Sequence, residues 1–205
     1  MGIRNLSSAS ISTGAKRSKF WDQSARVSDH VLIATATVTS GSTSSITFSS
    51  IPQTYDHLQL YWNARTTASA TLDFVHVRFN GDNTANYNFN YLEAGTGISD
   101  LAPAISTKSA NTNAWLTRIA GGNNSANIFG IGYGIIADYS KTNRKKSLHT
   151  YGGYDDWLLG TPTGNTRLEN STWFSTAAIT SITLTVDSGA SFATNTDFTL
   201  YGIKG

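Results

Sequence analysis

Over most of this chain, apolar and polar residues alternate in short segments that Gly, Asn and Ser turns separate. In residues 72–79, for example, Val75 and Val77 fall on one face of an extended strand. A period of two places alternate side chains on opposite faces of a sheet, whereas an amphipathic helix needs a period near 3.6. The following Asn80-Gly81 is a tight-turn dipeptide that joins antiparallel strands. The alternation therefore restricts the chain to β structure.

The pattern predicts roughly nine or ten short strands at the spacing of an antiparallel sandwich or barrel. They are drawn from segments 31–39, 44–49, 57–62, 72–79, 87–91, 114–119, 127–139, 145–151, 171–174, 179–186 and 197–203. The polar stretch Gly95–Asn113 is expected to be a long loop. No strand alternates with a clear helix, which argues against a parallel α/β sheet. We therefore predict an all-β chain, with one antiparallel, jelly-roll-like β-sandwich over residues 31–205 behind an extended N-terminal arm, residues 1–30.

Composition removes several classes of protein. Charged residues make up 14% of the 205 residues and aromatic residues 11%, and Ser, Thr and Asn are abundant. No window approaches the roughly 18–20 apolar residues of a membrane-spanning helix. The chain has no cysteine, which excludes a disulfide scaffold, a thiolate nucleophile and a Cys-bound zinc. A formal net charge of +2 is too small for a nucleic-acid-binding surface. We expect neither a membrane nor a nucleic acid as partner.

The first thirty residues lack any helical or strand periodicity, yet they carry large apolar and basic side chains. The predicted partner-binding residues of this arm are Ile3, Leu6, Ile11, Lys16, Arg17, Lys19, Phe20, Trp21 and Arg26. Burying each large apolar side chain against a partner would contribute roughly 1.5–3 kcal/mol. The basic side chains would steer the arm toward acidic patches on that partner. The alternative is a disordered terminus that binds nothing.

No segment has the spacing of a catalytic, metal or nucleotide site. The glycines of residues 130–134 lie inside an apolar strand and do not form a dinucleotide fingerprint, which needs a strand before it and a helix after it. Each histidine stands alone in its segment, which favours ordinary strand histidines over a metal site. These histidines are His30, His57, His76 and His149. The sequence thus predicts a chain that is not an enzyme and needs no cofactor.

Two acidic turns and one basic cluster have simpler explanations than a site. Asp155-Asp156 and Gly81-Asp82-Asn83 match turn chemistry, in which Asp side chains bond nearby backbone, better than a calcium loop. The basic run Lys141–Lys146 is expected at an exposed hairpin tip, with docking onto an acidic partner as the functional alternative.

Several longer segments resemble virion structural proteins of tailed bacteriophages, especially cyanophages. The matching segments are 11–25, 45–58, 78–83, 138–143, 173–182 and 200–204, so the resemblance spans nearly the whole chain. It implies a non-enzymatic β-sandwich component of a virus particle and supplies no catalytic residues. A cement or decoration protein on the capsid exterior is the expected role, with the major capsid protein or other virion proteins as partners. A homotrimer would suit the local threefold positions of a capsid.

Two rival classes remain open. The first is a tail, neck or fibre-associated protein that binds host surface glycans on exposed aromatic rings. The candidate rings are Tyr61, Trp62, Tyr87, Tyr91, Trp115, Tyr151, Tyr154 and Trp157, which could equally be packed in the sheets. The second is a glycoside hydrolase, which would need carboxylates that converge in a cleft.

Overall fold

A computed structural model describes residues 29–40, 43–95, 102–104, 111–156 and 163–204 of the chain. These ranges contain twelve β-strands and no helix, so they include no helix long and apolar enough to cross a membrane. The strands are β1 His30–Thr37, β2 Ser45–Phe48, β3 His57–Ala64, β4 Leu72–Phe79, β5 Tyr87–Gly95, β6 Ala102–Ala104, β7 Ala114–Ala120, β8 Gly130–Ala137, β9 Lys146–Asp156, β10 Thr163–Trp173, β11 Ile182–Val186 and β12 Asp197–Ile203. The all-β prediction is confirmed.

The strands form two antiparallel sheets. The larger sheet has eight strands in the order β1-β12-β3-β8-β9-β10-β5-β6, and the smaller sheet has four in the order β2-β11-β4-β7. Every pairing between neighbouring strands is antiparallel. Most neighbours are distant in sequence, so the sheets are built from long-range pairings.

Three elements differ from the sequence prediction. Asp155 and Asp156 were expected in a turn, but they are the last two residues of strand β9, and the buried Asp156 carboxylate accepts a hydrogen bond from the amide of Ser125 at 2.6 Å. Ala102–Ala104 forms β6 on the edge of the larger sheet, inside the stretch expected to be a loop. Strand β10 begins at Thr163, although only residues 171–174 were predicted. The alternation does run through this segment, but its inward positions hold Asn165 and Arg167 where a core strand usually holds apolar residues. A search for alternating apolar residues therefore detects only the C-terminal part of β10.

The inward faces of the two sheets share one hydrophobic core. Val75 and Val77 of β4 are buried with Leu58 and Leu60 of β3 and with Phe198 of β12. The predicted faces of β3 and β4 are thus confirmed. Because side chains alternate, the burial of one face of the larger sheet leaves its other face directed away from the core.

A turn after β4 depends on the carboxylate of Asp82. Its oxygens accept hydrogen bonds from the Thr84 hydroxyl at 2.6 Å, the Asn86 amide at 3.0 Å and the Trp173 indole Nε1 at 2.7 Å. Burial would raise the pKa of Asp82, but these hydrogen bonds together hold it well below its usual range. The Asp82 carboxylate also accepts a hydrogen bond from the backbone amide of Thr84 at 3.0 Å, which confirms the turn chemistry predicted for Gly81-Asp82-Asn83. Its bond to Trp173 links the turn to the end of β10.

We expect Asp82→Asn to lower the free energy of unfolding by about 1–2 kcal/mol at pH 7, because an amide has only one acceptor oxygen. That oxygen can accept either the Trp173 and Asn86 bonds or the Thr84 bonds, but not both sets. The depressed pKa means that the native state binds fewer protons than the unfolded state. The carboxylate's contribution is therefore present above pH 3.8, the ordinary value, and is lost as the pH falls below it. Denaturant unfolding at pH 7 and pH 3 should show the gap between wild type and variant narrowing in acid. A gap that is equal at both pH values would contradict this role, and Asp155→Asn, at an exposed position, is the matched control.

Candidate functional site

The predicted partner-binding residues of the arm all lie outside the described residues. They are Ile3, Leu6, Ile11, Lys16, Arg17, Lys19, Phe20, Trp21 and Arg26. The described part of the chain starts where the backbone oxygen of Asp29 accepts a hydrogen bond from the amide of Lys204 at 3.0 Å, and β1 begins at the next residue. The candidate surface must therefore be sought on the two sheets.

The outward face of the larger sheet carries a row of tyrosines. Tyr61 of β3 lies directly opposite Tyr133 of β8, which lies opposite Tyr151 of β9. The ring centroids are 6.1 Å apart in the first pair and 6.3 Å in the second. Tyr201 of β12 packs edge-on against Tyr61 at 5.7 Å. We call these four residues the tyrosine strip. It crosses four adjacent strands.

The rings of the strip are open to solvent. Tyr61, Tyr133 and Tyr151 are 41%, 42% and 49% exposed, and Ile131 beside them is 65% exposed. Within the described part of the chain, no partner accepts from or donates to the hydroxyls of these tyrosines. Contiguous exposed apolar surface of this kind marks interaction sites in monomeric proteins. The strip is therefore the strongest candidate for a binding surface.

Two grooves lie along the strip on either side of Tyr61. The larger has a volume of about 550 Å³. Its lining residues are Tyr61, Trp62, Ile131, Gly132, Tyr133, Tyr151, Gly152, Gly153, Tyr154, Asp155 and Thr166. The smaller groove, about 390 Å³, is lined by His30, Tyr61, Thr199 and Tyr201. The larger volume falls within the roughly 300–1,000 Å³ of small-molecule sites.

Glycines beneath the strip allow the indole of Trp62 to approach the backbone closely. A Cβ on Gly132 would lie 2.3 Å from the Trp62 ring and 2.4 Å from the backbone oxygen of Tyr151. A Cβ on Gly152 would lie 2.8 Å from the same ring. This confirms that the glycines in the run 130–134 serve close packing within a strand. The backbone beneath the strip is thus held in place by its contact with the buried Trp62 ring.

The outward face of the larger sheet is nearly free of charge. Among its described positions it holds no Lys, Arg or Glu. Asp155 lies at one end of the larger groove, and Asp197 lies at the start of β12. Solvated sheet faces usually carry many charged side chains, whereas Tyr enrichment with few charges is typical of the centre of a binding surface. The chemistry of this face is stacking and neutral hydrogen bonding.

Of the aromatic residues proposed as glycan-stacking rings, some are exposed in the structure and others are buried. Tyr61 and Tyr151 are exposed on the strip, whereas Trp62, Tyr87 and Tyr154 are buried, and Trp157 lies outside the described residues. Tyr91 and Trp115 are half-buried and pack around a buried arginine. Sequence reasoning missed Tyr133 and Tyr201. The alternation of Ile131, Tyr133 and Ile135 with glycines indicates that Tyr133 lies on one face of a strand, but it does not indicate that this face is exposed.

A buried ionic cluster lies at the opposite end of the larger sheet. The guanidinium of Arg167 contacts Glu169 at 2.7 Å and Glu93 at 3.3 Å, and Arg118 contacts Glu93 as well. Arg167 also stacks on the ring of Tyr91, with its central carbon 3.5 Å from the ring centre. Only 0–4% of the Arg167, Glu93 and Glu169 side chains is exposed. A buried charge network of this kind holds neighbouring strands together only while it is complete.

Burial raises the pKa of the Glu169 carboxyl to about 7, and the neighbouring Arg167 opposes the shift only in part. One Glu169 oxygen and the Nη2 of Arg167 have no hydrogen-bond partner among the described residues. These carboxylates are paired with guanidinium groups inside the sheets. Glu169 borders a groove of about 420 Å³, but its side chain is fully buried and does not reach the solvent. In the described part of the chain the cluster has a structural role.

Three of the four histidines contact a side chain or backbone group that is not another histidine. His30 bonds Gln59 at 2.8 Å, the ring of His57 accepts from the Asp138 amide at 3.0 Å, and His76 lies 3.6 Å from Asp187. Burial lowers the pKa of His76 although Asp187 opposes the shift. The described residues contain no group of three or more His, Cys, Asp or Glu side chains that could hold a metal ion.

The basic run between β8 and β9 is only partly an exposed tip. Lys141, Arg144 and Lys145 are exposed, but Lys146 is fully buried. Its ammonium donates to the backbone oxygens of Arg144 at 2.8 Å and Thr176 at 3.2 Å, and burial lowers its pKa. The prediction of an exposed tip is therefore wrong for Lys146, because its hydrogen bonds to three carbonyls compensate the loss of water.

A scan against protein-family models and searches of curated proteins and of solved structures found no match to this chain.

Proposed function

We propose that this protein is a non-enzymatic structural component of a bacteriophage particle, and specifically a cement or decoration protein that binds the outside of the capsid. The observation that carries the proposal is the resemblance of segments along nearly the whole chain to virion proteins of tailed phages. The residues agree with that role in kind. A polar, cysteine-free β domain, preceded by an arm with basic and large apolar residues, suits a protein that acts by assembling with other proteins.

We further propose that the two sheets form a jelly-roll-like sandwich. Its support is the nested pairing of the strands, since β2 pairs with β11, β4 with β7 and β5 with β6. The pair β1–β12 encloses these three pairs in the sequence, whereas β3 and β10 do not pair with each other, because β8 and β9 lie between them in the larger sheet. Such nesting arises when one long antiparallel ribbon is rolled up, as in viral jelly rolls. An experimental structure in which β2 does not pair with β11 would contradict this arrangement.

The partner is proposed to be the major capsid protein or another virion protein, reached by the arm. Attachment would bury Phe20 and Trp21, and the basic side chains would add an electrostatic contribution that salt weakens. The proposed assembly is a homotrimer, which closes on itself and leaves no unused interface. Light scattering on the purified chain tests it, and a monomer at micromolar concentration would contradict it.

Deletion of the arm is expected to abolish attachment and to leave the β domain folded. The shortened chain should begin at Asp29, because its backbone oxygen bonds Lys204 and the next residue starts β1. Phe20→Ala with Trp21→Ala should reproduce most of the loss, roughly 3–6 kcal/mol for two large apolar side chains. Ser18→Ala with Ser24→Ala is the matched control.

The measurement is co-sedimentation of purified chain with particles that lack it, with circular dichroism as a check that the domain remains folded. If the chain that starts at Asp29 decorates particles at the wild-type level, the arm is not the anchor. Attachment would then have to occur through the sheets.

A second candidate function is adhesion, in which the chain belongs to the tail, neck or a fibre and binds host surface glycans. One specific observation favours it: the tyrosine strip presents exposed rings along two grooves. Antibody labelling of intact particles separates the two candidates, because the decoration role requires label on the shell and the adhesion role requires label on the tail.

A further inference from the structure

We propose that the tyrosine strip binds a neutral oligosaccharide, whose sugar rings stack on Tyr61, Tyr133 and Tyr151. The inference depends only on the outward face of the larger sheet and holds wherever the chain is located on a particle. It therefore goes beyond the decoration role, and its test uses the isolated protein.

The first step is the shape of the surface. Tyr61 and Tyr133 are tilted by 40° to each other and Tyr133 and Tyr151 by 48°, so that the rings do not form one flat surface. The rings border a groove of about 550 Å³, whose floor is the peptide backbone around Gly132 and Gly152. A groove with exposed ring faces accepts a ligand that is itself ring-shaped and has apolar faces.

The second step is charge. Nucleic-acid bases also stack on aromatic side chains, but their phosphates require a basic groove. The outward face of the larger sheet has no Lys or Arg at its described positions, and its groove ends at the carboxylate of Asp155. The same absence of cations disfavours sulfated and acidic sugars. Among ring-shaped ligands, neutral carbohydrates remain.

The third step is hydrogen bonding. A sugar presents hydroxyl groups around the edge of each ring, and these need donors and acceptors beside the stacking surface. The larger groove supplies the Asp155 carboxylate and the Thr166 hydroxyl. The smaller one supplies the Thr199 hydroxyl, which also bonds the Thr35 hydroxyl at 3.2 Å. Tyrosine hydroxyls along the strip add further polar groups. A protein partner with a large apolar face would leave these groups without hydrogen bonds, which carries a desolvation penalty.

The fourth step is length. Tyr61 borders both grooves, so the surface continues from Tyr201 on β12 to Tyr151 on β9. The three successive centroid distances are 5.7, 6.1 and 6.3 Å. A single sugar would span only one of these distances between neighbouring rings. The strip therefore fits a chain of several sugars that runs across the strands, and affinity should rise with the number of sugar units.

The test is a glycan array of neutral and acidic oligosaccharides probed with the full chain. Titration calorimetry then follows, with neutral gluco-, manno- and xylo-oligosaccharides of two to six units. We expect binding to neutral chains, with affinity that increases from two to six units. Tyr133→Ala should weaken it about tenfold, the effect of losing roughly 1.4 kcal/mol of stacking. Tyr133→Phe keeps the ring and should retain most of the affinity.

Phe174→Ala is the matched control, because Phe174 is an exposed aromatic residue, 41% accessible, that lies outside the strip. If Tyr133→Ala does not fold, Tyr61→Ala and Tyr151→Ala serve in its place. Wild-type protein provides an independent readout through changes in its tyrosine ring NMR signals on adding the same oligosaccharides.

Three results would overturn the proposal. The first is the absence of binding to any neutral oligosaccharide at millimolar concentration. The second is binding that Tyr133→Ala leaves unchanged or that prefers acidic glycans or single-stranded DNA. The third is a Tyr133→Ala protein whose oligomeric mass falls while the wild type binds no sugar, because the strip would then be an interface between copies of this chain.

Discussion

Arg167→Ala is expected to lower the free energy of unfolding by about 3–5 kcal/mol at pH 8, the largest effect on folding stability of any substitution considered for this protein. The substitution removes the shared partner of Glu93 and Glu169. At pH 8 the buried Glu169 must then either stay ionised without its guanidinium or take up a proton, and both cost free energy. The substitution also removes the stack on Tyr91. Chemical denaturation followed by tryptophan fluorescence measures the effect.

The same variant should be less destabilised at pH 5 than at pH 8. The pKa of Glu169 is raised to about 7, so that at pH 5 its carboxyl is protonated and leaves no uncompensated charge behind. Arg144→Ala is the matched control, because Arg144 pairs with Asp138 at 2.6 Å on the surface and should contribute only about 0–1 kcal/mol. An Arg167→Ala protein as stable as this control would show that the cluster contributes little.

Gly132→Val is expected to lower the free energy of unfolding by about 3 kcal/mol, because overpacking a fixed interior forces side chains and backbone to shift. The new Cβ would meet the Trp62 ring at 2.3 Å and the Tyr151 backbone oxygen at 2.4 Å. The backbone oxygen cannot rotate away, so β8 must move relative to β9. Thermal unfolding monitored by circular dichroism provides the measurement.

Adding Trp62→Leu should recover only part of the loss, since it relieves the contact with the indole but not the contact with Tyr151. Ile131→Ala, one residue away and on the exposed face, is the control and should change stability by about 0.5 kcal/mol or less. If Gly132→Val unfolds at the wild-type midpoint, the close packing beneath the strip is not real.

The strand content of this protein could be predicted because alternation is a local property. Leu72–Phe79 and Asp197–Ile203 match the predicted segments at both ends. The prediction fell short where the inward face is polar. In β10, Arg167 and Glu169 occupy core positions, and such residues enter a core only when partners distant in sequence compensate them.

The candidate site could be predicted only in part, because it depends on strand order. The alternation of β3 places Tyr61 on the outward face of the sheet and its neighbours Leu60 and Trp62 on the buried face. It does not reveal which strand pairs with β3. Tyr61 and Tyr133 are brought together by a pairing across about seventy residues. The ionic cluster has the same origin, since Glu93 and Arg167 meet across 74 positions. Pairings of this range are invisible to local patterns.

The most direct test of the central claim is immunogold labelling of intact virions of the phage that we propose as the source of this chain, with antibodies raised against residues 29–205. The account predicts gold particles over the capsid shell, and their loss when the serum is first absorbed with the purified protein. Label confined to the neck or tail would contradict the decoration role and favour adhesion. Virions that contain none of this protein would contradict its assignment as a structural component of the particle.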